Sequence, residues 1–325
     1  MLTARAADHA RYRRVIGHCF STSALREQEP IIQSYISMLV SQLHKLAAAN
    51  TGADLLHWYD LAVFDLIGDL SLGQSFGALE SGKRHPWISE MKTLFKYGVM
   101  TAFTAGSVFW NGMLKLFFIL VPRVAEGRMN HAKFTEERGK ERLNRNTDRK
   151  DFISYLVRYE QGDARGMSEG EIIRNLSLLI GAGADTTVGL LCGATYFVLA
   201  NPTAYQTLRE ELFAAFTSKD EIDEVSVGKL PYLNAVIDEA LRLYPPLMES
   251  PPRMVLNDCI IDGHFVPKGT VVGCSIYSMG RSPLNFKDAD HFKPERWLGA
   301  EGFEEDVREA SQPFSQGPRG CIGMK

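Results

Sequence analysis

The sequence predicts a mainly α protein with a small β portion, organised as one domain over residues 1–325. Apolar residues recur at helical spacing through most of the chain up to Tyr244. Pro245-Pro246 closes that pattern, and short β-type segments, turn formers and aromatic residues follow. The 325 residues, 45% hydrophobic and 23% charged, show no repeat, no low-complexity linker and no break in composition. That length suffices for one large core or two small ones, and the even texture favours one.

The first residues, MLTARAADHARYRR, lack the apolar core of a signal peptide and read as a basic helix with His9 and Arg13 at i and i+4. Helical spacing then covers Ile31–Leu46 and Leu55–Leu72. An uncharged stretch runs from Tyr97 to Leu114 and resumes after Lys115 as Leu-Phe-Phe-Ile-Leu-Val. Its length approaches the ~18 apolar residues of a membrane span. Gly98, Thr101, Thr104, Gly106, Ser107, Asn111 and Gly112 point instead to a buried or membrane-brushing helical hairpin. Residues 134–150 mix both charge signs, as a solvated helix ending in a loop does, and are assigned no chemistry.

A long helix opens at Ser168 with Glu171 three residues on and ends near Leu199, before Asn201-Pro202. Roughly 32 residues at 1.5 Å each give it a span of about 48 Å. Helices over Pro202–Phe216 and Tyr232–Tyr244 follow. Cys259 to Val272 reads as a strand, a glycine-centred turn and a second strand. Residues 281–313 read as irregular but packed.

A net charge of −3 gives no support to nucleic-acid binding. Five cysteines without a Cys-x-x-Cys pair argue against a disulfide framework or zinc site and for a reducing compartment. Cys321 stands apart from the other four. It sits in Phe314-Ser-Gln-Gly317-Pro-Arg319-Gly-Cys321-Ile-Gly323. A thiolate is a strongly donating axial ligand for haem iron. Glycines let the backbone come close to a flat ligand, Pro318 stiffens the approach, and peptide N–H groups near the sulfur tune it. Arg319 offers a permanent cation to a carboxylate such as a haem propionate. A lone cysteine is otherwise a small buried hydrophobe.

Two other segments are unusual. Within the long helix, Ala182-Gly183-Ala184-Asp185-Thr186-Thr187 puts glycine and a carboxylate into an apolar run. Close helix packing would explain the glycines. A flat ligand lying against Gly183, with Asp185 and Thr186 relaying protons, would explain both oddities. Glu239 and Arg242 lie at i and i+3, the spacing of an ordinary surface pair.

Together these segments resemble the cytochrome P-450 superfamily of haem-thiolate monooxygenases, in a fungal form associated with secondary metabolism or aromatic detoxification. Phe-x-x-Gly-x-Arg-x-Cys-x-Gly is similar to its haem-ligand loop, and (Ala/Gly)-Gly-x-(Asp/Glu)-Thr-(Thr/Ser) to its oxygen-activating segment. The resemblance implies haem b held by Cys321, with Phe314, Gly317, Arg319, Gly323, Ala182 and Gly183 around it. It gives Asp185 and Thr186 the proton relay, and Glu239, Arg242 and Arg296 (in Phe292-Lys-Pro-Glu-Arg-Trp297) a buried structural triad. His9, Arg13 and Arg253 would meet the propionates, although a solvated basic N-terminus accounts equally for the first two. It further implies O2, a small apolar substrate, NADPH as indirect electron source through a separate reductase, and a monomer at the cytosolic face of the endoplasmic reticulum membrane.

Members of that superfamily are longer at both ends, so the expected fold is an incomplete one. It would lack the N-terminal anchor and first helices, and the C-terminal helix and hairpin. The expectation for this chain alone is weak haem binding or none. A non-catalytic truncated remnant and a haem-thiolate isomerase or dehydratase are the alternatives, and the intact Asp185-Thr186 pair argues against the latter. Residues from Val99 to Trp110 and Leu247-Met248 are the candidates for lining a substrate pocket.

Overall fold

The computed structural model describes residues 1, 4–93, 109–110, 112–113, 116, 122–145, 147–157 and 166–324. The apolar stretch over 97–121, including most of the candidate pocket segment Val99 to Trp110, lies outside the described residues save Phe109, Trp110, Gly112, Met113 and Leu116.

Helices dominate, and local chemistry explains their ends. Helix α1 covers Ala6–Gly17. The Ser21 side chain accepts from the Ala24 N–H and starts α2, Thr22–Ala48. Asp54 does the same for α3, Leu55–Leu72, by accepting from His57 N–H, and Gly73 in the left-handed region stops it. The short α4, Ala78–Ser81, follows. Helix α5 runs Pro122–Leu143, longer at its start than the charge pattern from residue 134 suggested. Its last turn is not fully solvated. Arg142 is buried and forks onto Asp151 at 2.8 and 3.0 Å, ahead of α6, Phe152–Val157.

The long helix, α7, is Glu169–Ala200, within one residue of its expected limits. The Glu171 carboxylate accepts from the Ser168 N–H at 2.8 Å, one half of the capping arrangement. Among the described residues α7 alone is long and apolar enough to cross a membrane by composition. Ile172, Leu176, Ile180, Ala184 and Val188 recur at helical spacing and form a buried stripe along it. Pro202 opens α8, Pro202–Ala215, and the one-turn α9 is Glu224–Val227. Helix α10, Pro231–Leu243, begins on proline; Glu211 of α8 accepts from the N–H groups of Tyr232 and Leu233 at 2.8 and 2.9 Å.

Among the described residues, four short strands make up the β portion. Strands β2 (Cys259–Ile261) and β3 (His264–Val266) form an antiparallel hairpin across Asp262-Gly263, both at positive φ as a tight two-residue turn demands. The expected second strand is in fact divided. After Gly269, β4 (Val271–Val272) pairs with β1 (Arg253–Met254) rather than with the hairpin. Helix α11, Ile276–Gly280, and irregular packed segments complete the chain.

The chain divides into two compact units, Met1–Val188 with Ile322–Lys325, and Gly189–Cys321. The boundary falls inside α7, where an even sequence texture leaves no trace of it. The first unit has a core of Val15, Ile16, Leu70, Phe152, Leu156 and Leu176 among others. The second centres on Tyr232, Val236, Ala240 and Leu243, with Phe197 and Phe292 stacked at 5.2 Å.

Candidate active site

In the second unit the Cys321 segment is a tight turn. Phe314 C=O accepts the Cys321 N–H at 2.7 Å, and the Gly320 N–H donates to Gly317 C=O at 3.0 Å. Gly317 sits at φ +76°, a conformation open mainly to glycine. A Cβ on Gly320 would lie 3.2 Å from Ser315 O and 3.3 Å from Gly317 O, so any larger residue there would crowd the turn. Cys321 itself is exposed and outside any disulfide. An uncovered thiol on a glycine-narrowed turn is a donor suited to the iron of a flat macrocycle, and the residues present fit that group. The N–H groups of Gly320 and Cys321 are spent on closing the turn. Phe314 and Arg319 are partly covered, and Gly323 lies two residues beyond the cysteine.

Also in the second unit, the structure brings Glu239, Arg242 and Arg296 into one fully buried network. Arg242 forks onto Glu239 at 2.8 and 2.7 Å and donates to the carbonyls of Gly280, Ala289 and His291. All five of its N–H groups are thereby used. Arg296 Nε reaches Glu239 at 3.0 Å. Two further partners escaped the sequence reading. Asp306 pairs with Arg296, and the Trp297 indole N–H donates to Glu239 at 2.9 Å. Two arginines and one glutamate would leave a buried net positive charge; Asp306 makes the cluster neutral. Arg253 lies on β1, with its guanidinium bonded to Pro251 C=O at 2.9 Å. Leu247 and Met248 are both about half exposed.

In the first unit, His9 and Arg13 occupy adjacent turns of α1, His9 buried and Arg13 partly so. The helix carrying them is clamped to the start of α7. Arg11 donates to Glu171 at 2.6 and 3.0 Å, and the Tyr12 hydroxyl to the same carboxylate at 2.6 Å. These bonds hold the Glu171 pKa far below the usual carboxylate range.

On α7, Ala182 is exposed, whereas Gly183, Asp185 and Thr186 are half-buried. The Thr186 hydroxyl donates back to Ala182 C=O at 2.7 Å, and Thr187 to Gly183 C=O at the same distance. Thr186 therefore offers its lone pairs outward, and gives up a proton outward only by releasing Ala182. A Cβ on Gly183 would lie 3.3 Å from the Ile67 side chain. A larger residue at position 183 would crowd that side chain of α3. Asp185 is not bare: its Oδ1 lies 3.3 Å from Lys92 Nζ, and Lys92 also contacts the buried Asp60. Neither Lys92 nor Asp60 was singled out from sequence, although an aspartate in an apolar helix signals a partner or water nearby.

The chain matches the Cytochrome P450 family model over residues 1–325. It is 40% identical over 320 residues to Cytochrome P450 monooxygenase aba2 of Botryotinia fuckeliana, covering 97% of this chain and 60% of that protein. It is 39% identical over 327 residues to averantin hydroxylase of Dothistroma septosporum, covering 100% of this chain and 61% of the relative. Against trichothecene C-15 hydroxylase of Fusarium sporotrichioides the identity is 36% over 321 residues, covering 98% and 65%. The chain thus spans under two thirds of the length of these curated relatives.

Proposed function

The chain belongs to the cytochrome P450 family, and on that basis we propose that the protein is a haem-thiolate monooxygenase, with residues 1–325 as a single domain. Bound haem would supply O2 activation and insertion of one oxygen atom into an apolar substrate, with electrons from NADPH through a separate reductase. Cys321 holds the iron as an anionic donor. Phe314, Gly317 and Gly323 shape the turn, Ala182 and Gly183 give the macrocycle a flat neighbour, and Arg319, Arg253, His9 and Arg13 receive the propionates. Asp185 and Thr186 move protons into the site. Glu239, Arg242 and Arg296 touch neither substrate nor cofactor and hold the segment leading to the cysteine in place. Hydroxylation of an organic carbon skeleton is the reaction class that the relatives' names favour. The whole protein acts as a monomer at the cytosolic face of the endoplasmic reticulum membrane.

The single observation carrying this reading is the glycine-narrowed turn that leaves Cys321 uncovered. The test is the absorption spectrum of the full-length protein, reduced and treated with carbon monoxide. Thiolate ligation gives a strongly red-shifted Soret band, and Cys321→Ser abolishes it. An unshifted band in the parent, or a shifted one surviving in the variant, refutes the assignment.

A further inference from the structure

We propose that Glu171 is a positioning residue for the cofactor site, gripping one face of α1 so that His9 and Arg13, on the opposite face, are held where a haem propionate meets them. The inference rests on the propionate reading of His9 and Arg13 given above.

It starts from what fastens α1. Only His9, Val15 and Ile16 of its 12 residues are buried. Val15 and Ile16 sit at its C-terminal end and belong to the core of the first unit. That burial fixes one end of the helix and leaves its first turns to other contacts. Glu171, in the first turn of α7, supplies them. Its Oε1 accepts from Arg11 Nη2 and from the Tyr12 hydroxyl, both at 2.6 Å. Its Oε2 accepts from Arg11 Nη1 at 3.0 Å and from the Ser168 N–H at 2.8 Å. The two oxygens thus take four donors, about as many as a carboxylate accommodates. Arg11 Nη1 also donates to Gly166 C=O at 2.7 Å, which ties α1 to the segment before α7.

A helix cap needs only the Ser168 bond, so the three bonds to α1 are surplus to starting α7. Their placement gives them a second use. His9 and Arg13, four residues apart, share a face of α1, whereas Arg11 lies about 200° round the helix from each of them. Arg11 and Tyr12, about 100° apart on the helix, hold the same carboxylate. A single contact would be a pivot, but two at different angles resist rotation of α1 about its axis. That rotation sets the direction in which His9 and Arg13 point. Glu171 touches neither cofactor nor substrate and acts only through α1.

The test is haem loss from the full-length, haem-loaded protein to an excess of apomyoglobin. His9→Ala with Arg13→Ala is expected to speed it about ten-fold or more, the loss of charge-assisted hydrogen bonds. Glu171→Gln alone should speed it by about five-fold, the upper range of a partly exposed pair. With all three changes together, haem loss should be within about two-fold of the His9 and Arg13 double variant, because the grip then has no bases left to aim. A role confined to stability would instead multiply the two effects. Urea unfolding of the same variants reads that stability separately. If Glu171→Gln folds poorly because Arg11 keeps an unpaired charge, Glu171→Gln with Arg11→Gln removes both charges and still lacks the grip. Haem loss at the parent rate in the Glu171 variants, or effects that multiply, overturns the proposal. Parental haem loss in the His9 and Arg13 double variant overturns the propionate reading instead.

Discussion

Replacing Asp306 with asparagine isolates the member of the buried charge cluster that no motif announces. Arg296 and Asp306 are both fully buried and in direct contact, and Arg296 also reaches Glu239 at 3.0 Å. Asparagine keeps the Oδ1 acceptor for the Lys287 N–H, now bonded at 2.7 Å. It also sets an amide N–H2 against the guanidinium and leaves the cluster with one uncompensated positive charge. Two unit charges ~4 Å apart at an effective dielectric of ~20 interact by about 4 kcal/mol. Breaking a buried pair from one side costs about 3–5 kcal/mol. Because Glu239 remains, the lower part of that range is expected, about 3 kcal/mol, or roughly a hundred-fold in the unfolding constant. The assay is equilibrium urea unfolding followed by circular dichroism and tryptophan fluorescence, since the Trp297 indole is itself bonded to Glu239. Arg296→Met combined with Asp306→Asn leaves the balanced Glu239–Arg242 pair and should be less destabilised than the two single variants summed. An Asp306→Asn variant within about 0.5 kcal/mol of the parent, or strict additivity in the pair, would show that the neutrality reasoning is wrong.

Two other outcomes follow from packing and protonation. Gly280→Ala would put a Cβ 2.5 Å from the Arg242 backbone oxygen, and Gly280 C=O accepts from Arg242 Nη1, so a loss of about 2–3 kcal/mol is expected in the same unfolding assay. His131 stacks on Trp87 at 5.1 Å, and burial pushes its pKa down. Its contribution is complete above the unfolded value of ~6.5 and is lost as pH falls below it, because the unfolded chain then binds a proton that the folded one resists. Stability measured from pH 7 to 5 should therefore decline less steeply in His131→Phe than in the parent.

What could be read from the sequence was written within a few residues. The limits of α7 lie in Ser168, Glu171 and Asn201-Pro202, the hairpin in Asp262-Gly263, and the Arg242–Glu239 fork in an i, i+3 spacing. The parts not read depend on residues that meet only after folding. Glu211 caps a helix 21 residues downstream, and Trp297 meets Glu239 across 58. Such pairs leave no local pattern, but charge arithmetic would have exposed two of them. A buried Glu with two Arg requires a second carboxylate, and an aspartate in an apolar helix requires a cation or water beside it. The split of the second strand, by contrast, follows from the pairing of Val271 and Val272 with Arg253 and Met254, which alternation alone does not specify.

The same arithmetic separates a brace from a working group. Around Glu239 every charge is fully buried, the sum is zero and the Arg242 donors are exhausted, so no member can move without leaving a buried charge unpaired. Around Asp60, held by Arg84 and Lys92, the sum is also zero, but it closes through Asp185, whose half-exposed carboxylate can exchange Lys92 for water at little cost. Under the proposed relay, a carboxylate that takes up and releases protons needs that second kind of setting. The first kind suits a support whose only task is to stay where it is, and it is there, in the second unit, that the chain leads into the turn bearing Cys321.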